Sequence, residues 1–158
     1  MLPALTGRPI RVEIRASLGP HLAATAIPRR RILLDGAVLL ERGEFERILV
    51  HEIFHFAWVR LGNPARRSWQ RLLEEELAGK AQGELGWSAE WRKAKLTPAR
   101  IRDGSPLWRH YLCESFCDTA AWLYAARRRH GEFTLGQRWR RRRWAWFRRE
   151  ISSAAVPI

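Results

Sequence analysis

The stretch Ile48-Leu49-Val50-His51-Glu52-Ile53-Phe54-His55-Phe56-Ala57 places the pattern His-Glu-x-x-His in an apolar run without Pro or Gly. On a helix, residues four apart lie one above the other, so His51 and His55 present two imidazoles to one point. Glu52, one residue round from His51, can touch a water held at that point without being a ligand itself. This is the arrangement of a zinc site whose carboxylate serves as general base. With five His and sixteen acids in 158 residues, a chance match is rare. The apolar flanks also fit a helix buried firmly enough to hold its ligands still.

A catalytic zinc needs a third protein ligand and one position left open for water. The extended metzincin pattern would require Gly where Trp58 stands and His where Leu61 stands, so it is excluded. No His occurs between His55 and His110, which leaves carboxylates. Glu74, Glu75 and Glu76 follow at short-loop spacing; Glu114 follows much later, in Cys113-Glu114-Ser115-Phe116-Cys117-Asp118. Glu114 is favoured because Asp118, four residues on, shares its helix face. A metal-bound His commonly donates its other ring N–H to a carboxylate. Glu114 also sits among Leu112, Phe116, Ala120 and Trp122, where an unbound carboxylate is costly. The Glu74–Glu76 triplet, ahead of Lys80, reads as a solvated face. His110 and Tyr111 precede Glu114 by one helical turn, and either is a candidate donor to a developing oxyanion.

With these residues in hand, the chain resembles the gluzincins, the thermolysin-like zinc metallopeptidases, and in particular their compact single-domain forms, the minigluzincins. The resemblance rests on His51-Glu52-x-x-His55 with Glu114-x-x-x-Asp118. It implies that His51, His55 and Glu114 bind Zn2+, that Glu52 is the base, and that Asp118 orients a ligand His. Two departures stand out: family members commonly carry Asn before the ligand Glu and Ser before the Asp, and both positions are Cys here. The resemblance implies peptide-bond hydrolysis, endopeptidase rather than exopeptidase, with narrow specificity or latency within its range. It also implies a peptide or protein substrate added along an exposed edge strand within 29–40.

The elements that must position these residues read as an α+β, zincin-like fold. A small three-stranded antiparallel sheet is expected, followed by four to five helices, in one domain over 1–158. Arg8 to Arg15 alternates apolar and charged residues, the mark of a half-buried strand. Residues 17–28 read as a connection. Asp35-Gly36 between two apolar runs signals a hairpin. Helices are expected over about 44–61, 64–85, 105–130 and 135–151, the third opened by Ser105 as cap and Pro106 at its first position.

The net charge of +13 suggests an anionic partner. Nearly all the basic residues are Arg, though, since the only lysines are Lys80, Lys93 and Lys95, and Asn63 is the sole asparagine. That skew is typical of GC-rich coding and needs no functional demand. The charge concentrates in the basic C-terminal helix and tail, 134–158, where Arg138 to Arg149 alternates Arg with Trp and Phe. Such a surface can bind an acidic partner, nucleic acid or an anionic membrane. The alternative to the peptidase reading is therefore a basic nucleic-acid- or membrane-associated module with no catalytic metal. The plainer reading packs Trp144, Phe147 and Ile151 on the body. No signal peptide or spanning run is evident, and two cysteines four apart on a helix fit reduced thiols, so a cytoplasmic setting is expected.

Overall fold

The computed structural model describes residues 2–127, 129–151 and 155–158, and of Arg42 only the backbone. Among the described residues, five strands and six α-helices follow one another: β1 (Leu5–Thr6), β2 (Arg11–Arg15), β3 (Ala23–Ala26), β4 (Arg31–Asp35), α1 (Arg42–Arg60), α2 (Asn63–Ala78), α3 (Trp87–Lys93), α4 (Pro98–Arg102), α5 (Pro106–Tyr124), α6 (Gln137–Glu150) and β5 (Val156–Pro157). The tail expected after α6 includes 152–154, which lie outside the described residues.

The fold is α+β, but the sheet is mixed rather than antiparallel. Its order is β2-β4-β3, with β2 parallel to β4 and β3 antiparallel to it. The antiparallel turn lies between β3 and β4, where Ile27–Arg29 form a 3-10 turn closed by Arg30 at φ 47°. Asp35-Gly36 makes no hairpin. The Asp35 carboxylate accepts from Ala37 N at 2.9 Å and from Leu18 N at 2.7 Å, capping a second 3-10 turn, Gly36–Leu40. The strand within 29–40 is therefore β4, the centre of the sheet, and the edges are β2 and β3. In β2, Val12 and Ile14 share a face with Ile32 and Leu34 through the parallel register. They remain 44% and 46% exposed because α1 packs under β3 and β4.

Helix α1 lies between two apolar layers, which explains why it carries apolar residues on two of its sides. Ile48 and Phe56 meet Ile32, Leu34 and Val38 beneath the sheet. Phe54 and Ala57 turn the other way, into a core with Trp69, Trp108, Phe116, Trp146 and Phe147. Helix α5 is held there along most of its length, its first turn capped by Ser105 Oγ accepting from Trp108 N at 3.2 Å. Helix α6 enters the core with Trp139, Arg143, Trp146 and Phe147, while Trp144 is 46% exposed.

The Arg143 guanidinium is fully buried between two carboxylates. Nη2 lies 2.7 Å from Glu76, and Nη1 lies 2.7 Å from Glu84. Glu84 also accepts from Tyr111 Oη at 2.5 Å and sits 3.4 Å from Lys93. One side chain of α6 thereby ties together α2, the segment before α3, and α5.

Candidate metal centre

One helical turn on α1 brings the His51 and His55 rings to 4.9 Å between centroids, nearly perpendicular at 74°. Their outer nitrogens are held from α5. His51 Nδ1 lies 2.8 Å from Asp118 Oδ1, and Cys113 Sγ lies 3.4 Å from His55 Nδ1. His51 Nε2 faces Glu114 Oε2 at 3.3 Å. With both Nδ1 atoms engaged, the Nε2 atoms remain as donors, the division expected when one ring nitrogen is oriented so that the other can bind a metal.

Asp118 is itself fixed. Its Oδ2 accepts from Ala89 N at 3.3 Å, near the start of α3. A Cβ at Gly86 would lie 2.3 Å from the Asp118 carboxylate, so the α3 segment can approach only because residue 86 has no side chain. Glu114 is steadied by Arg92 Nη2 at 3.5 Å, and Arg92 Nη1 donates to Ser88 O at 2.8 Å. On the other side, Thr25 Oγ1 of β3 donates to Glu52 Oε2 at 2.6 Å. The base candidate is thus anchored to the edge strand, with Oε1 left for another partner.

The electrostatics follow from this packing. Burial would raise the Glu114 pKa, but His51 outweighs it and holds the carboxyl down at about 2. Burial disfavours a charged His51, yet Asp118 and then Glu114 lift its pKa well above the ordinary value. Cys113 is lowered to about 6, first by the hydrogen bond with Cys117 and then, against burial, by His55. Burial raises the Cys117 thiol well above its usual range.

An open cleft of about 490 Å³ exposes His51, Glu52, His55 and Glu114. Thr25 and its neighbours in β3 form one wall; Trp87, Ser88 and Arg92 of α3 form another. Because Leu22 O accepts from Asp35 N, the antiparallel alternation turns the main-chain groups of Ala24 and Ala26 towards β4. Those of Ala23 and Thr25 point outward along the free edge.

The other residues singled out in the sequence lie elsewhere. Tyr111 is fully buried and spends its hydroxyl on Glu84; one turn before Glu114, α5 is already covered by the segment leading to α3. His110 is exposed and is not among the cleft-lining residues. Glu76 pairs with Arg143, Glu75 with Arg142, and Glu74 accepts from Gln70 Nε2 at 2.8 Å, so all three acids of that triplet are engaged away from the cleft. Thr25, Gly86 and Arg92 carried no local signal, since each acts on a residue far away in the chain.

One further grouping emerges. Donor atoms of His51, His55 and Cys117 all lie within 4.8 Å of one another. Cys117 is fully buried, whereas Glu114 lines the cleft. A metal held with Glu114 would face the opening; one held with Cys117 would sit beneath it. Both sets suit zinc, since imidazole, carboxylate and thiolate are all common zinc donors. Among the described residues no helix is long and apolar enough to cross a membrane. The chain matches no family model, no curated protein and no solved structure.

Proposed function

We propose that the chain is a zinc-dependent endopeptidase with a zincin-like fold, its metal held by His51, His55 and Glu114. The observation that carries this reading is the double engagement of His51. Asp118 takes Nδ1 at 2.8 Å while Nε2 faces Glu114 at 3.3 Å, on the floor of an open cleft. The donor chemistry fits: an ionised carboxylate, two imidazole nitrogens and an oriented outer shell.

Bound zinc supplies Lewis acidity and lowers the pKa of a coordinated water towards about 7. The protein's own residues do the rest. Glu52, anchored by Thr25 through Oε2, takes the proton from water and returns it to the departing amine. Asp118 keeps His51 in one tautomer. A peptide aligned antiparallel to β3 would bond to the main-chain groups of Ala23 and Thr25, which brings its carbonyl near Glu52. Arg92, on the opposite wall, replaces Tyr111 and His110 as the candidate donor to the oxyanion.

The His51, His55 and Cys117 grouping favours a second reading, a metal buried beneath the cleft and away from substrate, without hydrolysis. Elemental analysis of wild type, Glu114→Gln and Cys117→Ser separates the two. About one zinc per chain, lost in Glu114→Gln and kept in Cys117→Ser, supports the peptidase. The reverse pattern supports the buried site, and no zinc in wild type after reconstitution refutes both.

A further inference from the structure

An open groove of about 780 Å³ shares no lining residue with the metal cleft. It runs along the starting ends of β2 and β4, and Arg8, Arg11, Arg29, Arg30 and Arg31 line it together with two prolines and Ile10. No acidic residue contributes to its wall. The fold creates this crowding. Parallel pairing sets Arg11 opposite Arg31, and Arg11 N donates to Arg30 O at 2.9 Å, which draws the segments 8–11 and 28–31 side by side.

Like charges are not gathered this way without cost, and little in the chain offsets them. The nearby acid Glu13 is shared between Arg15 at 2.8 Å and Arg31 at 3.6 Å. Among the described residues, none of Arg8, Arg11 and Arg29 has a carboxylate within the 4.0 Å of an ion pair. Arg31 Nε is buried without a hydrogen-bond partner. Arg30 adopts φ 47°, a conformation a non-glycine residue enters only under constraint. Its guanidinium is pinned by the main-chain oxygens of Arg8, of Pro9 at 3.2 Å and of Ile158 at 3.2 Å. Loss of hydration, then Arg60 and Arg8, push its pKa below the usual arginine value.

The arginines of α6 differ. Arg143 is enclosed by Glu76 and Glu84, Arg142 meets Glu75, Arg149 meets Glu150, and Arg140 bonds to the carbonyls of Phe133 and Leu135. Three of the seven arginines of α6, Arg140, Arg142 and Arg143, tie the helix to other segments. The groove at 8–11 and 28–31 is where cations converge on open space.

We propose that this groove is a binding site for a phosphate-bearing anion carrying several charges, either a free oligophosphate or the headgroup of an anionic lipid. Guanidinium forks match phosphate oxygens two at a time, and a multiply charged ligand relieves the mutual repulsion of several arginines at once. A single carboxylate would answer only one of them. The site is independent of the peptidase reading.

Calorimetric titration of the full chain with sodium tripolyphosphate at 0.15 M salt tests this, beside sedimentation with phosphatidylcholine vesicles made with or without phosphatidylinositol bisphosphate. Arg11→Glu/Arg29→Glu changes the exposed rim and leaves Arg30 alone. Arg138→Glu/Arg141→Glu makes the same charge change on exposed α6 positions. The expected result is saturable one-to-one binding of tripolyphosphate, or retention on the phosphatidylinositol bisphosphate vesicles, weakened at least tenfold by the groove pair and within twofold by the α6 pair. Tripolyphosphate binding identifies a free ligand; retention on vesicles alone identifies a headgroup. Equal loss in both pairs would show a general effect of net charge and overturn the site. So would absence of binding to either probe by a wild type whose melting curve shows it folded.

Discussion

Replacing Arg143 with Met keeps the length of a side chain that threads between helices but removes the guanidinium that Glu76 and Glu84 share. The two carboxylates do not suffer equally. Glu84 retains Tyr111 Oη at 2.5 Å and Lys93 at 3.4 Å. Glu76, fully buried, loses all three of its Arg143 contacts of 3.1, 3.1 and 2.7 Å. Breaking a buried pair from one side costs about 3–5 kcal/mol, so a loss near 4 kcal/mol at pH 7 is expected. For a chain of this size that corresponds to a fall in Tm of roughly 8–16 °C. The loss also carries a pH signature. Burial already raises the Glu76 pKa despite Arg143. Without Arg143 it rises further, so the penalty relative to wild type grows as pH climbs above the raised wild-type Glu76 value and fades as pH falls below it. Scanning calorimetry between pH 5 and 7.5 should show Arg143→Met recovering on acidification, with Arg143→Met/Glu76→Gln regaining at least half the loss at pH 7. A fall of under 3 °C, or a pH-independent one, would refute the view that an orphaned carboxylate carries the cost.

Three other outcomes follow from the geometry. Gly86→Ala puts a Cβ against the Asp118 carboxylate and should weaken zinc about 10–100-fold in a chelator competition, as loss of an orienting partner does elsewhere; unchanged affinity would mean Asp118 does not orient His51. Glu52→Gln should keep zinc within a few-fold while peptide hydrolysis falls by at least about 10²; undiminished turnover would remove Glu52 as base. Tyr111→Phe should lower stability by about 1–3 kcal/mol in urea denaturation by stripping a donor from buried Glu84, leaving zinc affinity untouched. A loss of zinc in that variant would return Tyr111 to the site.

What the sequence revealed of the site follows helical arithmetic. His51 with His55, and Glu114 with Asp118, are each four apart, and spacing fixes which side chains share a face. The same arithmetic set Tyr111 beside Glu114, but spacing cannot say what covers the next turn, and there the Glu84 segment does. β3 escaped notice because Ala23-Ala24-Thr25-Ala26 has neither alternation nor bulky branched residues; it is a strand because β4 pairs with it. Asp35-Gly36 promised a turn of positive φ, yet the aspartate side chain spends itself on two amides. Of the expected packing residues Trp144, Phe147 and Ile151, the last two are buried, while Trp144 is exposed and Trp139 and Trp146 are buried instead. Arg143 looked like one cation among many because Glu76 and Glu84 lie more than fifty residues away.

The pairing of β1 with β5 joins Leu5 to Val156 and Thr6 to Pro157. Val156 N donates to Ala4 O at 2.8 Å, and Ile158 N to Thr6 O at 2.7 Å. The strand at residues 5–6 therefore waits for a partner made about 150 residues later. At roughly 5–20 residues per second that wait lasts on the order of ten to thirty seconds. Throughout it, Leu5 and the part of the α1 core that it joins stay uncovered. This edge of the core therefore closes only after residue 156 has been made, late in the folding of the chain.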